Sequence, residues 1–147
     1  MSAQRATYDQ DVIAWALEQA RLLRSGQFSA LDIEHIADEI EDVGKAEKRE
    51  LASRMAVLLT HLLKWQYQPA FRGRSWQQTI KHQRKSIALE LKNTPSLKTL
   101  LRDTEWQELV WGDAVSQAFK ETGLDTFPEI CPWTTDQVLS PDWLPSE

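Results

Sequence analysis

The chain has 147 residues, 41% hydrophobic and 27% charged, with five glycines, six prolines and a net charge of −5. This balance excludes a fibrous or disordered chain and fits a folded domain, which at this size buries roughly 70% of the surface it would expose unfolded. The single cysteine, Cys131, excludes an internal disulfide or a cysteine-rich metal cage and suits a reducing compartment.

The opening MSAQRATYDQD has no apolar signal-like run. The longest apolar stretch, MAVLLTHLLKW, is interrupted by His61 and falls short of the ~18 residues that span a bilayer. The expectation is a cytoplasmic protein with no membrane association.

A first helix is predicted over residues 9–25, where Ile13, Ala16, Leu17, Ala20 and Leu23 recur at helical spacing, Thr7 and Gln10 stand at capping-box spacing, and Gly26 can end the helix. Trp15 and Leu22 widen its apolar stripe. Helices at 31–43 and 45–67 follow. Their stripe runs from Ile33, Ile36, Ala37, Ile40 and Val43 through Leu51, Met55, Leu58 and Leu62 to Trp65 without losing register. A continuous helix there would reach about 52 Å against roughly 38 Å for a compact domain, so either it bends near Gly44 or the molecule is elongated.

Pro69 and Gly73 make the sharpest turn. A helix at 75–93 carries Trp76, Ile80, Gln83, Ile87 and Leu91 on one face, and after Pro95 another is predicted over 96–122, with Leu97, Leu100, Leu101, Trp106, Leu109, Val110, Ala114 and Ala118 as its core and a less regular register that allows a break near Asp103. The tail, 123–147, is rich in tryptophan and proline, with one short helical stretch opened by Thr134 and Gln137. Phe127, Trp133, Leu139, Trp143 and Leu144 should hold it against the other helices. Nothing reads as a strand. The fold class is all-α, one domain over 1–147 with four or five main helices and the tail packed on them.

Charge is distributed in blocks: residues 1–50 hold 11 acids and 6 bases, 51–92 hold 1 acid and 8 bases, and 93–147 hold 10 acids and 3 bases. In the basic block Lys64, Arg72, Arg74, Lys81, Arg84 and Lys85 interleave with Trp65, Tyr67, Phe71 and Trp76, the mixture with which single-stranded nucleic acid is gripped. Trp65 and Trp76 fall on core stripes, however, and guanidinium groups beside rings also serve as internal cement and as partners for the acidic blocks. Structure is the preferred reading and nucleic-acid contact the alternative.

Asp32 and His35 imitate the carboxylate-x-x-His spacing of bundle metal sites. Turned by about 100° per residue, His35, Asp38 and Asp42 point away from the Ile33 stripe, which reads as a solvated acidic face. His35, His61 and His82 could together hold zinc, and only His61, at the edge of its apolar stripe, is well placed for it. No phosphate-binding loop, nucleophile elbow or Cys-x-x-Cys is present, so no catalytic residue, metal or cofactor is assigned.

LLTHLLKWQYQP followed by RSW and QR, the early DEIEDVG and the closing FPEICPWTTDQVL resemble the bacterial domain-of-unknown-function family 29, from about Tyr8 to Pro145. Trp65, Tyr67, Pro69, Trp76, Pro132 and Trp133 form the structural signature. The resemblance implies an all-helical fold and brings no activity, cofactor or site. The expected function is that of a non-catalytic interaction module, with an unidentified protein partner or a second copy meeting the exposed part of the long helix. Nucleic-acid binding through residues 64–85 and a metal-dependent enzyme using His61 are the alternatives.

Overall fold

Asp11 opens the first helix: its carboxylate accepts the Ala14 N–H at 3.1 Å, and α1 runs Val12–Arg24. The Thr7–Gln10 pair, expected to cap this helix, instead closes the turn before it, with the Gln10 N–H on Thr7 Oγ1 at 3.3 Å. Gly26, at φ +74°, ends α1 as predicted. The Gln27 and Gly26 N–H groups reach back to the Leu22 and Leu23 carbonyls at 2.9 and 3.2 Å, which satisfies acceptors that the helix end leaves open. The computed structural model describes residues 7–146; residues 1–6 and 147, the ends of the range read as one domain, lie outside the described residues.

Where the sequence gives helices at 31–43 and 45–67 and leaves their continuity through Gly44 open, the chain forms one, α2, Ile33–Tyr67. A glycine inside a helix costs about 1 kcal/mol relative to alanine, too little to break 35 residues whose later part is anchored in a core. No atom lies within 4 Å of where a Gly44 side chain would stand. Gly44→Ala is therefore expected to slow amide hydrogen exchange around residues 40–48 by roughly fivefold. Unchanged exchange would mean that the helix is broken at this point in solution.

After a 3₁₀ turn at Pro69–Phe71, α3 covers Arg74–Asn93. The segment predicted over 96–122, whose register allows a break near Asp103, divides there into two elements. Pro95–Arg102 is a 3₁₀ segment, and α4, Thr104–Thr122, starts afresh where the Asp103 carboxylate accepts the Trp106 N–H at 3.1 Å. The short α5, Thr135–Leu139, has the capping box read from Thr134 and Gln137. The fold is all-α, with no strand among the described residues, and none of their helices is long and apolar enough to cross a membrane.

The chain divides into two compact units, one up to Ala46 and one from Glu47 onward. In the second, Leu51, Met55, Leu58 and Leu62 of α2 meet Ile80 and Ile87 of α3, Leu97, the α4 stripe of Val110, Trp111, Ala114 and Ala118, and Val138 of α5. Leu109, expected in this core, is 70% exposed; it precedes the α4 stripe by one position and so turns away from it. The tail packs as expected, with Phe127, Trp133, Leu139, Trp143 and Leu144 half-buried against the core.

Arg84, buried on α3, holds that tail. Its Nε, Nη1 and Nη2 donate to the carbonyls of Val138, Pro141 and Trp143 at 2.8, 3.2 and 2.7 Å. In the first unit, α1 and the start of α2 form an antiparallel hairpin: Gln19 meets Asp32, Trp15 meets Asp32 and His35, and Tyr8 meets Glu39.

Candidate functional site

The six basic residues of the middle block do not form one open surface. Lys64 is buried, pairs with Glu121 at 3.2 Å and lies 5.0 Å from the centre of the Trp76 ring. Arg72 donates to the Trp65 carbonyl at 2.6 Å with its guanidinium 5.2 Å from the Trp65 ring. Arg84 is committed to the tail. Arg74, Lys81 and Lys85 are exposed, while Trp65 and Trp76 are half-buried. Tyr67 stands edge-on to Phe127 at 5.1 Å, and Trp133 sits edge-on between Trp111 and Trp143 at 5.6 and 5.7 Å. Pro69 opens the turn at the corner and Pro132 is exposed beside Trp133.

The histidines serve three local environments. His61 donates from Nδ1 to the Val57 carbonyl at 2.8 Å, and burial pushes its pKa down, so the neutral ring is favoured. His82 is exposed on α3. His35 belongs to the N-terminal hairpin. Among the described residues no three His, Cys, Asp or Glu side chains come together as a ligand set. Cys131 is half-buried, its thiol 3.5 Å from the Trp133 carbonyl, and burial raises its pKa, which favours the unreactive thiol over the thiolate.

The N-terminal hairpin departs most from the sequence reading. Its inner face is polar and aromatic. The Trp15 indole N–H donates to Asp32 Oδ2 at 2.9 Å, His35 Nδ1 meets the same oxygen at 2.7 Å, and the Asp32 N–H donates to Gln19 Oε1 at 2.8 Å. Tyr8 stacks on His35 at 4.2 Å and donates its hydroxyl to Glu39 at 2.5 Å. His35 and Asp32 therefore do not belong to a solvated acidic face; they close the hairpin. The stripe expected to be buried faces outward: Ile13 is 72% exposed, Leu17 69%, Ile33 and Ile40 67%, and Val43 65%. A helical wheel ranks faces by apolar content, and here the buried stripe of Trp15, Gln19 and Leu22 won because its polar atoms find partners across the turn.

Both apolar stripes lie on one side of the hairpin. Counted from the residues facing the other helix, Trp15 in α1 and His35 in α2, the apolar positions fall at about 60–200° in each. In an antiparallel pair of right-handed helices this rotation carries both stripes to the same side. Glu18, Glu34, Asp38, Glu41 and Asp42 fall at about 240–340°, on the other.

The sequence profile of the family described as Domain of unknown function DUF29 matches residues 7–144. The chain belongs to the DUF29 family. No curated protein and no solved structure matches it. The DUF29 match takes in the whole described hairpin as well as the second unit up to Leu144, so the outward apolar stripe is part of the family domain.

The DUF29 hairpin carries a pH signature. The hydrogen bond to Asp32 raises the His35 pKa above its ordinary 6.5, and the same bond, with help from Trp15, lowers that of Asp32 below 3.8. The Tyr8 hydroxyl, donating to Glu39, is pushed up to about 12. The His35 contribution is complete below about pH 6.5 and is lost as pH rises through the higher folded value. The Asp32 contribution is complete above about pH 4 and is lost as pH falls through the lower folded value. The hairpin should thus be tightest between these limits, as read by the NMR signal of the Trp15 indole N–H, which donates to Asp32. His35→Gln should flatten the alkaline limb; an unaltered limb would assign the titration elsewhere.

Proposed function

We propose that this DUF29 chain is a non-catalytic interaction module that pairs with a second copy of itself through the apolar side of its N-terminal hairpin. The carrying observation is the inverted hairpin, which satisfies its polar groups internally and leaves two aligned apolar stripes in water. The exposed parts of Val12, Ile13, Leu17, Leu23, Ile33, Ile40 and Val43 amount to on the order of 800 Å², the share each partner gives to a standard stable interface.

Composition favours a like partner. Within the hairpin the stripe offers no carboxylate for a charged partner to read, and its one charge, Arg24, stands in the last turn of α1. A copy can therefore approach with few like charges brought together. Ile33, Ile36, Ile40 and Val43 follow the alternating three- and four-residue spacing by which helices interlock side chains. Two hairpins meeting on this side would form a four-helix arrangement about a twofold axis.

The alternative of nucleic-acid contact requires bases and rings on one open face, whereas Lys64, Arg72 and Arg84 are engaged internally. The free Cys131 supports placing the protein in the cytoplasm. Sedimentation equilibrium of the full chain across a hundredfold concentration range is the test, with a monomer–dimer equilibrium expected. A monomer throughout would overturn the proposal.

A further inference from the structure

A cleft of about 440 Å³ opens in the second unit between α2, α4 and the tail. Its walls include Trp106 and Trp111 of α4 and Trp133 of the tail, above a floor that includes Met55 and Leu59 of α2. Trp111 and Trp133 stand at 89° with ring centres 5.6 Å apart, so the two indoles form a right-angled corner. The corner is fixed: the Trp111 N–H donates to the Pro128 carbonyl at 3.0 Å, and Trp133 is braced from behind by Trp143 at 5.7 Å. The volume lies in the range of small-molecule sites, where apolar walls supply affinity and a few polar groups set orientation.

The charge of the rim decides what such a ligand would be. Glu108 and Glu129 are its charged groups, and no lysine, arginine or histidine lines the cleft among the described residues. Indole faces attract cations through their quadrupole, and carboxylates add a field of the same sense. An anionic or carboxylate-bearing compound would meet repulsion from both.

We propose that this cleft binds a small organic cation, an alkylammonium compound whose apolar part lies among Trp106, Trp111 and Trp133 and whose charged head faces Glu108 and Glu129. This site does not depend on the pairing of hairpins, since every residue in it belongs to the second unit. Cys131, also in the lining, contributes bulk to the wall.

Calorimetric titration of the full chain at low ionic strength tests the assignment, with three probes of related size. Hexyltrimethylammonium should bind saturably at one site per chain, hexanesulfonate should bind at least roughly tenfold more weakly, and tetramethylammonium, which lacks the apolar part, should also be weaker. Glu108→Gln and Glu129→Gln, both at exposed positions, should each weaken the hexyltrimethylammonium complex about threefold or more while the circular dichroism spectrum stays unchanged. Equal binding of the cationic and anionic amphiphiles would overturn the proposal, as would no saturable binding or affinities untouched by both Glu variants. A trimethyllysine peptide that binds more tightly than the free cation would overturn it too, by making the cleft a notch for a protein partner.

Discussion

Arg84→Met should lower the stability of the second unit by about 3 kcal/mol, read as a shift of the urea midpoint without loss of helix content in the native baseline. Three charge-assisted hydrogen bonds to backbone carbonyls would be lost, and the carbonyls of Val138, Pro141 and Trp143 would have no replacement donor within the core. Removing a buried guanidinium also removes its desolvation cost, evident in the downward push of burial on its pKa, and this keeps the loss below the sum of three charged bonds. Arg84→Lys should recover only a fraction, because a single ammonium cannot reach three carbonyls that a planar fork spans. In both variants proteolysis should first cut the tail beyond residue 123. A wild-type midpoint in the methionine variant would show that the tail is held by its apolar side chains alone.

On the proposed pairing of hairpins, Ile40→Glu should shift the protein to monomer while leaving the monomer as stable as before. In the single chain Ile40 is 67% exposed, so the substitution costs the fold within about 0.5 kcal/mol. In the pair the same carboxylate would be buried against an apolar surface with no partner, which should weaken association by roughly a hundredfold or more. Leu17→Glu on the facing helix should behave alike. Glu41→Lys, on the opposite side of the hairpin, should leave the mass distribution unchanged. If sedimentation shows Ile40→Glu and the unmodified chain with the same mass at every concentration, the apolar side is not the contact.

Much of the fold is legible in the sequence because helical periodicity survives wherever an element has one buried side. The α3 and later α2 stripes were read in this way, and the Thr134–Gln137 box located α5 within an otherwise irregular tail. The break after Arg102 is explained by Asp103, whose side chain caps α4 and leaves the preceding leucines, three apart at Leu97 and Leu100, in a 3₁₀ turn. Gly44 left the continuity of α2 open, although the stripe keeps its register through it, because a local preference of about 1 kcal/mol is easily outweighed.

The candidate surfaces were less legible, for reasons of chemistry. The sequence shows Trp15 and Leu22 only as a widening of the α1 apolar stripe, and Gln19 between them carries no apolar signal. Only the partners of Gln19 and Trp15 on Asp32 reveal it as an inner side. The signal that could have shown this is the pairing of an indole and an amide on one helix with an aspartate just past the turn. The cleft was harder still to foresee. Its indoles come from positions 106 and 111 of α4 and 133 of the tail, and no local pattern joins the tail to the helix.

The grip of Arg84 on carbonyls 54 to 59 positions further along the chain has a consequence for biosynthesis. While the ribosome still holds residues 138–143, α3 has emerged with its guanidinium unanswered and Val138 has not yet sealed the leucines beneath it. Completion of this interior must wait until that segment has left the ribosome, and until then the nascent molecule presents a greasy opening to chaperones and proteases.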